Sequence, residues 1–137
     1  MLSRTARYGL KAAVHIAEQV DASPARVEDL AQALDVPRNY LSKILHRMAQ
    51  AGLLNSTRGR GGGFWLPRDP GTVTLIEVIQ CLEPTDVFDV QCLLGRPHCS
   101  DTDPCTAHGR WCAVRDEVSR FFAETTLADL AQPEGGV

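Results

Sequence analysis

Four of the five cysteines of this chain lie within one stretch of 21 residues, from Cys92 to Cys112. Glycine and proline residues interrupt this stretch, and its apolar residues follow no helical or strand period, so we predict that most of it is a loop. A loop without a periodic apolar face cannot be held by packing alone. Its thiols must therefore hold it, either as thiolates that bind iron or zinc or as disulfides.

The composition of the chain favours metal over disulfides. With 137 residues it is one domain or a small domain with an appendage. No apolar run approaches the length of a membrane span, about 18 residues, and Lys11 and His15 interrupt any signal-peptide core. We therefore expect a cytoplasmic protein with no membrane partner, in which thiols stay reduced.

The net charge of −3 conceals an uneven distribution. Residues 1–68 carry ten basic and five acidic side chains, whereas residues 69–137 carry four and twelve. A basic half within an acidic chain is typical of a module that binds nucleic acid, and an unevenly charged surface is the alternative.

Three predicted helices occupy the basic half. Apolar spacing indicates helices over residues 3–19 and 27–34, and a short turn leads to a third helix from Pro37, at its first helical position, to Ala51. The third helix has an apolar inner face and a cationic, amide-bearing outer face. This arrangement is typical of a helix-turn-helix, whose last helix enters the DNA major groove, and an ordinary amphipathic surface helix is the alternative. Its candidate contacts to bases or phosphates are Arg38, Asn39, Ser42, Lys43 and Arg47.

A glycine-rich segment follows this third helix. Residues 53–57 and 64–66 predict two strands joined by a tip that contains Arg58 and Arg60 among four glycines. Glycines let a backbone lie close to another surface, and arginines suit a phosphate backbone or a narrow minor groove. The alternatives are a flexible hairpin and a nucleotide phosphate loop, but the latter needs Lys-Ser/Thr where Phe64 stands. A helix-turn-helix followed by a basic hairpin predicts a winged helix.

Two further helices flank the cysteine stretch. Thr74 and Glu77 predict a capping box for a helix over residues 74–83, on which Cys81 is expected to be a small buried residue. The second helix runs from about 109 to 122, and we expect its bulky apolar stripe to pack against a second copy of the chain. That stripe consists of Trp111, Val114, Val118, Phe121 and Phe122.

The cysteine stretch has the spacing of a metal site. Cys92, Cys99 and Cys105, together with His108, form a set of three thiolates and an imidazole. Such a set suits a [2Fe–2S] cluster, in which histidine can replace cysteine, or tetrahedral zinc. The gaps between the cysteines are wide for a structural zinc knuckle, so we favour iron–sulfur and keep zinc as the alternative. Cys112, one helical turn after His108, is the alternative fourth ligand.

With these motifs in place, the chain resembles the IscR/NsrR family of dimeric iron–sulfur regulators of transcription, over nearly everything from Leu2 to Leu130. The resemblance implies a [2Fe–2S] or [4Fe–4S] cluster, of which we favour the first, and adds Tyr40 to the DNA-contacting helix. The motifs that carry it are Arg7-Tyr8-Gly9, Tyr40-Leu41, the segment from Arg58 to Phe64, the three-cysteine loop and the segment from Thr126 to Leu130.

The resemblance also implies particular ligands. Cys92, Cys99 and Cys105 match the three cysteines of the family, and His108 matches the histidine of the IscR branch. The NsrR branch instead uses an aspartate from the first helix of the partner subunit, and this chain has no acidic residue before Glu18. The chain also has one more residue than the IscR branch between Cys92 and Cys99.

The predicted fold is mainly α with a small β-wing. The predicted function is a homodimeric, DNA-binding regulator of transcription, not an enzyme, whose affinity for a pseudo-palindromic operator is set by the cluster. The competing readings are a zinc-stabilised DNA-binding protein without sensing and, less favoured, an iron–sulfur electron carrier. The predicted divisions are a winged helix-turn-helix (1–68), a linker helix (69–83), a cluster-binding loop (84–108), a dimerisation helix with a C-terminal turn (109–131) and a disordered tail (132–137).

Overall fold

The computed structural model describes residues 2–19, 23–83 and 92–131. The start of the predicted cluster-binding loop (84–91) and the predicted tail (132–137) lie outside the described residues. The elements are α1 (Arg4–Glu18), α2 (Val27–Leu34), α3 (Arg38–Gln50), β1 (Asn55–Thr57), β2 (Gly63–Trp65), α4 (Leu75–Leu82), α5 (His108–Glu124) and α6 (Leu127–Leu130), with a 3₁₀ turn at Pro70–Thr72.

The predicted fold class is confirmed, and the helix ends differ from prediction by one or two residues. Pro37 is the N-cap of α3 and not its first helical residue, because its ψ of 130° is not helical. Gly52 takes a positive φ of 82° directly after the helix, as expected of a residue that ends one. The predicted capping box of Thr74 and Glu77 is present at the start of α4.

The core lies where α1, α3 and α4 meet, and all the side chains predicted to face inward on α3 and α4 are buried there. Gly9 lets α1 and α4 approach closely, because a Cβ at this position would overlap the side chain of Leu82. The inner residues are Leu41, Ile44, Leu45 and Met48 on α3, and Leu75, Val78, Ile79 and Leu82 on α4.

The wing is shorter than predicted. The antiparallel pair β1–β2 matches Asn55 with Trp65 and Thr57 with Gly63. Leu53 does not belong to the strand, because its N–H still bonds the carbonyl of Met48 at the end of α3.

The wing is also anchored to the body of the domain. Phe64 is buried and exchanges two backbone hydrogen bonds with Ala25, with N···O distances of 2.7 and 2.8 Å. A Cβ at Gly63 would overlap the carbonyl of Ala25. This glycine therefore serves a close approach within the chain, and not the approach to another molecule that we expected of the glycines here.

Among the described residues, no helix combines the length and hydropathy needed to cross a membrane.

Candidate metal centre and nucleic-acid interface

Three of the cysteines predicted to bind metal converge in the folded chain. The Sγ atoms of Cys92, Cys99 and Cys105 all lie within 4.8 Å of one another, and those of Cys92 and Cys105 are 3.5 Å apart. The loop folds back on itself to achieve this: the N–H of Cys105 donates to Cys99 Sγ at 3.4 Å. The three cysteines, which are well separated in the sequence, thus form one compact group of thiols in the folded chain.

His108, the first residue of α5, lies beside this group. Its Nδ1 is 3.2 Å from Cys99 Sγ, and its Nε2 is 2.8 Å from Asp101 Oδ1. An ionised carboxylate only accepts hydrogen bonds, so in the neutral imidazole this contact favours the tautomer with the proton on Nε2 and the lone pair of Nδ1 toward Cys99. A carboxylate that orients a histidine in this way is common in metal sites. Asp101 was not anticipated, because its role depends on how the loop folds.

Cys112 lies to the side of the thiol group. Its Sγ is 3.6 Å from His108 Nε2, the nitrogen that faces Asp101, and accepts a hydrogen bond from Arg115 Nη2 at 3.5 Å. Among the described residues, the ligand atoms that all lie within 4.8 Å of one another belong to the three cysteines alone, so the choice of His108 or Cys112 as the fourth donor stays a prediction. Three thiolates and an imidazole are soft to borderline donors, and this set fits either an iron–sulfur cluster or zinc.

The loop also changes the acidity of its thiols. The backbone N–H of Arg96 and then that of Leu94 stabilise the thiolate and lower the pKa of Cys92 to about 7. The pKa of Cys99 is raised: the backbone N–H of Cys105 favours the thiolate, but partial desolvation and the neighbouring thiols outweigh it. One thiol of the group is therefore ready to bind a metal near neutral pH.

The fifth cysteine is separate from the site. Cys81 is half-buried on α4, where its Sγ donates to the carbonyl of Glu77 at 3.2 Å, and burial raises its pKa. We predicted a small buried residue, and the side chain is only partly buried; that Cys81 does not bind metal stays a prediction. His98, next to Cys99, is exposed.

The outer face of α3 offers several of the predicted DNA contacts to solvent. Asn39 and Lys43 are exposed, and Ser42 is half-buried. Tyr40 is turned toward α1, with its hydroxyl 2.5 Å from Thr5 Oγ1. The first turn of α3 is thus docked against the first turn of α1.

Two arginines of the predicted face have partners within the chain. The Arg38 guanidinium donates to Glu28 Oε1, at 2.8 Å from Nη2 and 3.0 Å from Nε. Arg47 Nη2 donates to the carbonyl of Leu82 at 2.9 Å. These long-range contacts could not be predicted from the spacing of residues on α3.

Other cations remain available for a phosphate backbone. In the part of the chain that the structure describes, neither Arg58 nor Arg60 at the wing tip forms an ion pair. The same holds for Arg4, Arg7 and Lys11, which are exposed on α1. The α1 cations were not among the predicted contacts, although they contribute to the basic charge of the N-terminal half.

The predicted stripe on α5 divides into two parts. Phe122 is 9% exposed and belongs to the core, against which the half-buried Val118 also packs. Val114 and Phe121 are 54% and 53% exposed. Trp111, which is half-buried, helps to line a groove of about 440 Å³.

The exposed part of α5 continues onto the cysteine loop. The groove beside Trp111 is also lined by Leu93 and Leu94, which are 56% and 61% exposed. The described residues include five exposed large apolar side chains, and all but Tyr40 lie on α5 or this loop. A concentration of this kind makes this surface a candidate for binding a partner or a ligand.

A helix-turn-helix with a wing, joined to a loop of clustered thiols, defines a DNA-binding regulator of transcription as the class of this protein. A profile of the Rrf2 family, described as iron-dependent transcriptional regulators, matches residues 2–133. The chain belongs to this family.

Individual relatives agree with this assignment. A protein of Aquifex aeolicus (strain VF5) is 31% identical over 136 residues, which cover 98% of this chain and 93% of the relative. The regulator IscR of Citrobacter koseri is 29% identical over 129 residues, covering 94% of this chain and 78% of its own length. The structure of CymR, the global cysteine regulator of B. subtilis, superposes with a TM-score of 0.79 at 28% identity, covering 96% and 95% of the two chains.

These relatives are regulators of transcription and not enzymes, as the sequence predicted. CymR is described as a cysteine regulator, whereas the description of the family refers to iron.

Proposed function

We propose that the protein is a homodimeric regulator of transcription whose affinity for a DNA operator depends on an iron–sulfur cluster held by Cys92, Cys99, Cys105 and His108. The observation that carries this proposal is the convergence of three sulfur atoms within 4.8 Å beside an oriented imidazole. When bound, the cluster supplies a redox-sensitive link between separate parts of the loop. The protein supplies the thiolates and uses Asp101 to hold the imidazole.

The DNA-binding part of the proposal rests on the exposed cations and amides of the N-terminal half. In a two-fold dimer, the two α3 helices would enter successive major grooves about 34 Å apart, on a pseudo-palindromic operator. Asn39, Ser42 and Lys43 would read bases, whereas Arg58 and Arg60 would contact the flanking backbone or minor groove.

Each part of the chain has its own role in this proposal. Residues 1–68 bind DNA, and residues 69–83 connect them to the cluster-binding loop. Residues 84–108 hold the cluster, and residues 109–131 form the dimer. We expect a second copy of the chain to cover the exposed apolar surface of α5 and the loop. This expectation is supported by the exposure of Val114 and Phe121 and of the adjoining leucines of the loop.

Metal content tests the central part of the proposal. Protein purified without oxygen should contain iron and acid-labile sulfide, and Cys92→Ala, Cys99→Ala and Cys105→Ala should each lose them, because a missing thiolate leaves iron with an open position. Cys81→Ala is the matched control and should retain both, since Cys81 bonds Glu77 on α4. A wild-type protein that contains neither iron nor sulfide when purified in this way would refute the proposal.

A zinc site is the second candidate. A tetrahedral ion with Zn–S bonds of about 2.3 Å places its sulfur ligands about 3.8 Å apart, close to the 3.5 Å between Cys92 and Cys105. The same purification distinguishes a zinc site from an iron–sulfur cluster, because a zinc protein is colourless and contains no sulfide.

A further inference from the structure

The end of α4 is held by two other helices. Arg47, in the last turn of α3, donates from Nη2 to the carbonyl of Leu82 at 2.9 Å. Ser3, the N-cap of α1, donates from its hydroxyl and its backbone N–H to the carboxylate of Glu83. Leu82 ends α4 and Glu83 caps it. The last residues of this helix are therefore fixed to both α1 and α3.

The contact from Arg47 suits the end of a helix. The carbonyls of the last turn have no partner within the helix and carry a partial negative charge, which a guanidinium satisfies. The side chain of Leu82 is 3% exposed and packs beside Gly9, so this end of α4 cannot shift without disturbing its neighbours. A displacement of Leu82 would therefore also displace or release the Arg47 side chain that bonds to its carbonyl.

Arg47 also occupies a particular position between the two functional parts of the chain. It lies on the same helix as Asn39 and Lys43, the proposed base contacts, and one to two turns further along. Leu82 and Glu83, in turn, immediately precede the segment that leads to Cys92 in the sequence. Within the described residues, Arg47 is the cationic residue of the outer face of α3 that bonds to the helix before the cysteine loop.

We propose that Arg47 is a positioning residue that couples the cysteine site to α3, and that it does not act as a phosphate contact. The inference rests on the function proposed above and names the route by which the state of the site reaches DNA. The occupied and empty loops place the end of α4 differently, and Arg47 converts that difference into a change in the placement of α3.

The test compares operator affinity with and without the cluster in wild-type protein and in Arg47→Met, which keeps the length and apolar stem of the side chain but removes its donors. Coupling between two sites usually changes affinity by about 5- to 150-fold. We expect the operator affinities of wild-type protein with and without the cluster to differ by a ratio in this range. In Arg47→Met the two affinities should converge to within about twofold, with iron content and dimer unchanged.

Arg58→Met at the wing tip is the matched control. As a proposed phosphate contact, Arg58 should affect both forms equally, so its loss should leave the ratio intact and reduce the slope of log K against log salt by about one. Arg47→Met should leave that slope unchanged. Arg47→Lys retains a cation with donors and should restore part of the ratio, which also covers the case in which the methionine variant folds poorly.

The outcomes separate the two proposals. If wild type shows the same affinity in both forms, the proposed function fails, whatever Arg47 does. If wild type shows a ratio and a folded Arg47→Met keeps it, the coupling role of Arg47 is refuted. A uniform loss of affinity in Arg47→Met, with a smaller salt slope, would make Arg47 a phosphate contact and would also overturn the inference.

Discussion

Phe121→Ala should dissociate the proposed homodimer without unfolding the protomer. Phe121 is 53% exposed on α5, and the neighbouring Phe122 is 9% exposed in the core. The two rings are in edge-to-face contact, with centroids 5.2 Å apart. Substitutions at these two neighbouring residues can therefore distinguish the two roles: Phe121 is exposed and can bind a second copy, whereas Phe122 stabilises the fold of its own chain.

The magnitude follows from the exposed area. An aromatic side chain presents about 200 Å², so half-exposure leaves about 100 Å² for an interface. At about 25 cal/mol per Å², each copy contributes about 2.5 kcal/mol. An interface between identical surfaces counts the residue twice, about 5 kcal/mol. This corresponds to a rise in the dimer Kd of about 10³- to 10⁴-fold, and it is an upper bound because alanine retains some contact.

Sedimentation velocity over a range of protein concentrations measures this Kd. Phe122→Ala is the control: it should lower the free energy of unfolding by about 3–5 kcal/mol, visible as an earlier thermal transition, because it leaves a cavity in the core. If Phe121→Ala remains dimeric at every concentration at which wild type is dimeric, this face of α5 is not the interface.

Three further predictions concern the site and the DNA surface. Asp101→Ala should weaken metal retention about 10- to 100-fold, measured as the rate at which a chelator removes iron, because His108 loses the partner that orients it. In metal-free protein at neutral pH, iodoacetamide should label Cys92 faster than Cys81, since backbone N–H groups lower the pKa of Cys92 to about 7 and burial raises that of Cys81. Lys11→Gln should weaken binding to DNA of any sequence and reduce the salt slope by about one.

Each of these predictions has a control within the chain. Asp103→Ala removes the ion pair to Arg96 on the same loop and should leave iron retention near wild type, because Arg96 is not a proposed ligand whereas His108 is. Labelling of Cys92, followed by peptide mass spectrometry, should slow as the pH falls from about 8 to about 6, because the thiolate is the reactive form. Equal rates at both values would contradict the lowered pKa. Lys11→Arg should restore the salt slope.

Local features of the fold could be predicted from the sequence because their causes are local. The apolar spacing of α3 fixed which of its faces is buried, and the capping box of Thr74 and Glu77 marked where α4 begins. Helix ends were less predictable, because a residue such as Pro37 can serve as the cap or as the first helical residue.

Contacts between distant parts of the chain could not be predicted. The spacing of residues on α3 placed Arg38 and Arg47 together on its cationic, amide-bearing outer face, yet Arg38 bonds Glu28 on α2 and Arg47 bonds Leu82 on α4. Gly63 looked suited to approach another molecule, yet it makes room for Ala25. Tertiary packing decides which partner a long side chain or a glycine contacts. The spacing of residues along one helix or strand does not encode that packing.

Operator affinity with and without the cluster shows whether the cysteine site controls DNA binding. An operator can be selected from random-sequence DNA, and its binding by fluorescence anisotropy compared for the anaerobic cluster-containing dimer and the same dimer after the cluster is removed. We expect the two affinities to differ by about 5- to 150-fold while the protein stays dimeric. Equal affinities on operators selected with either form would contradict it.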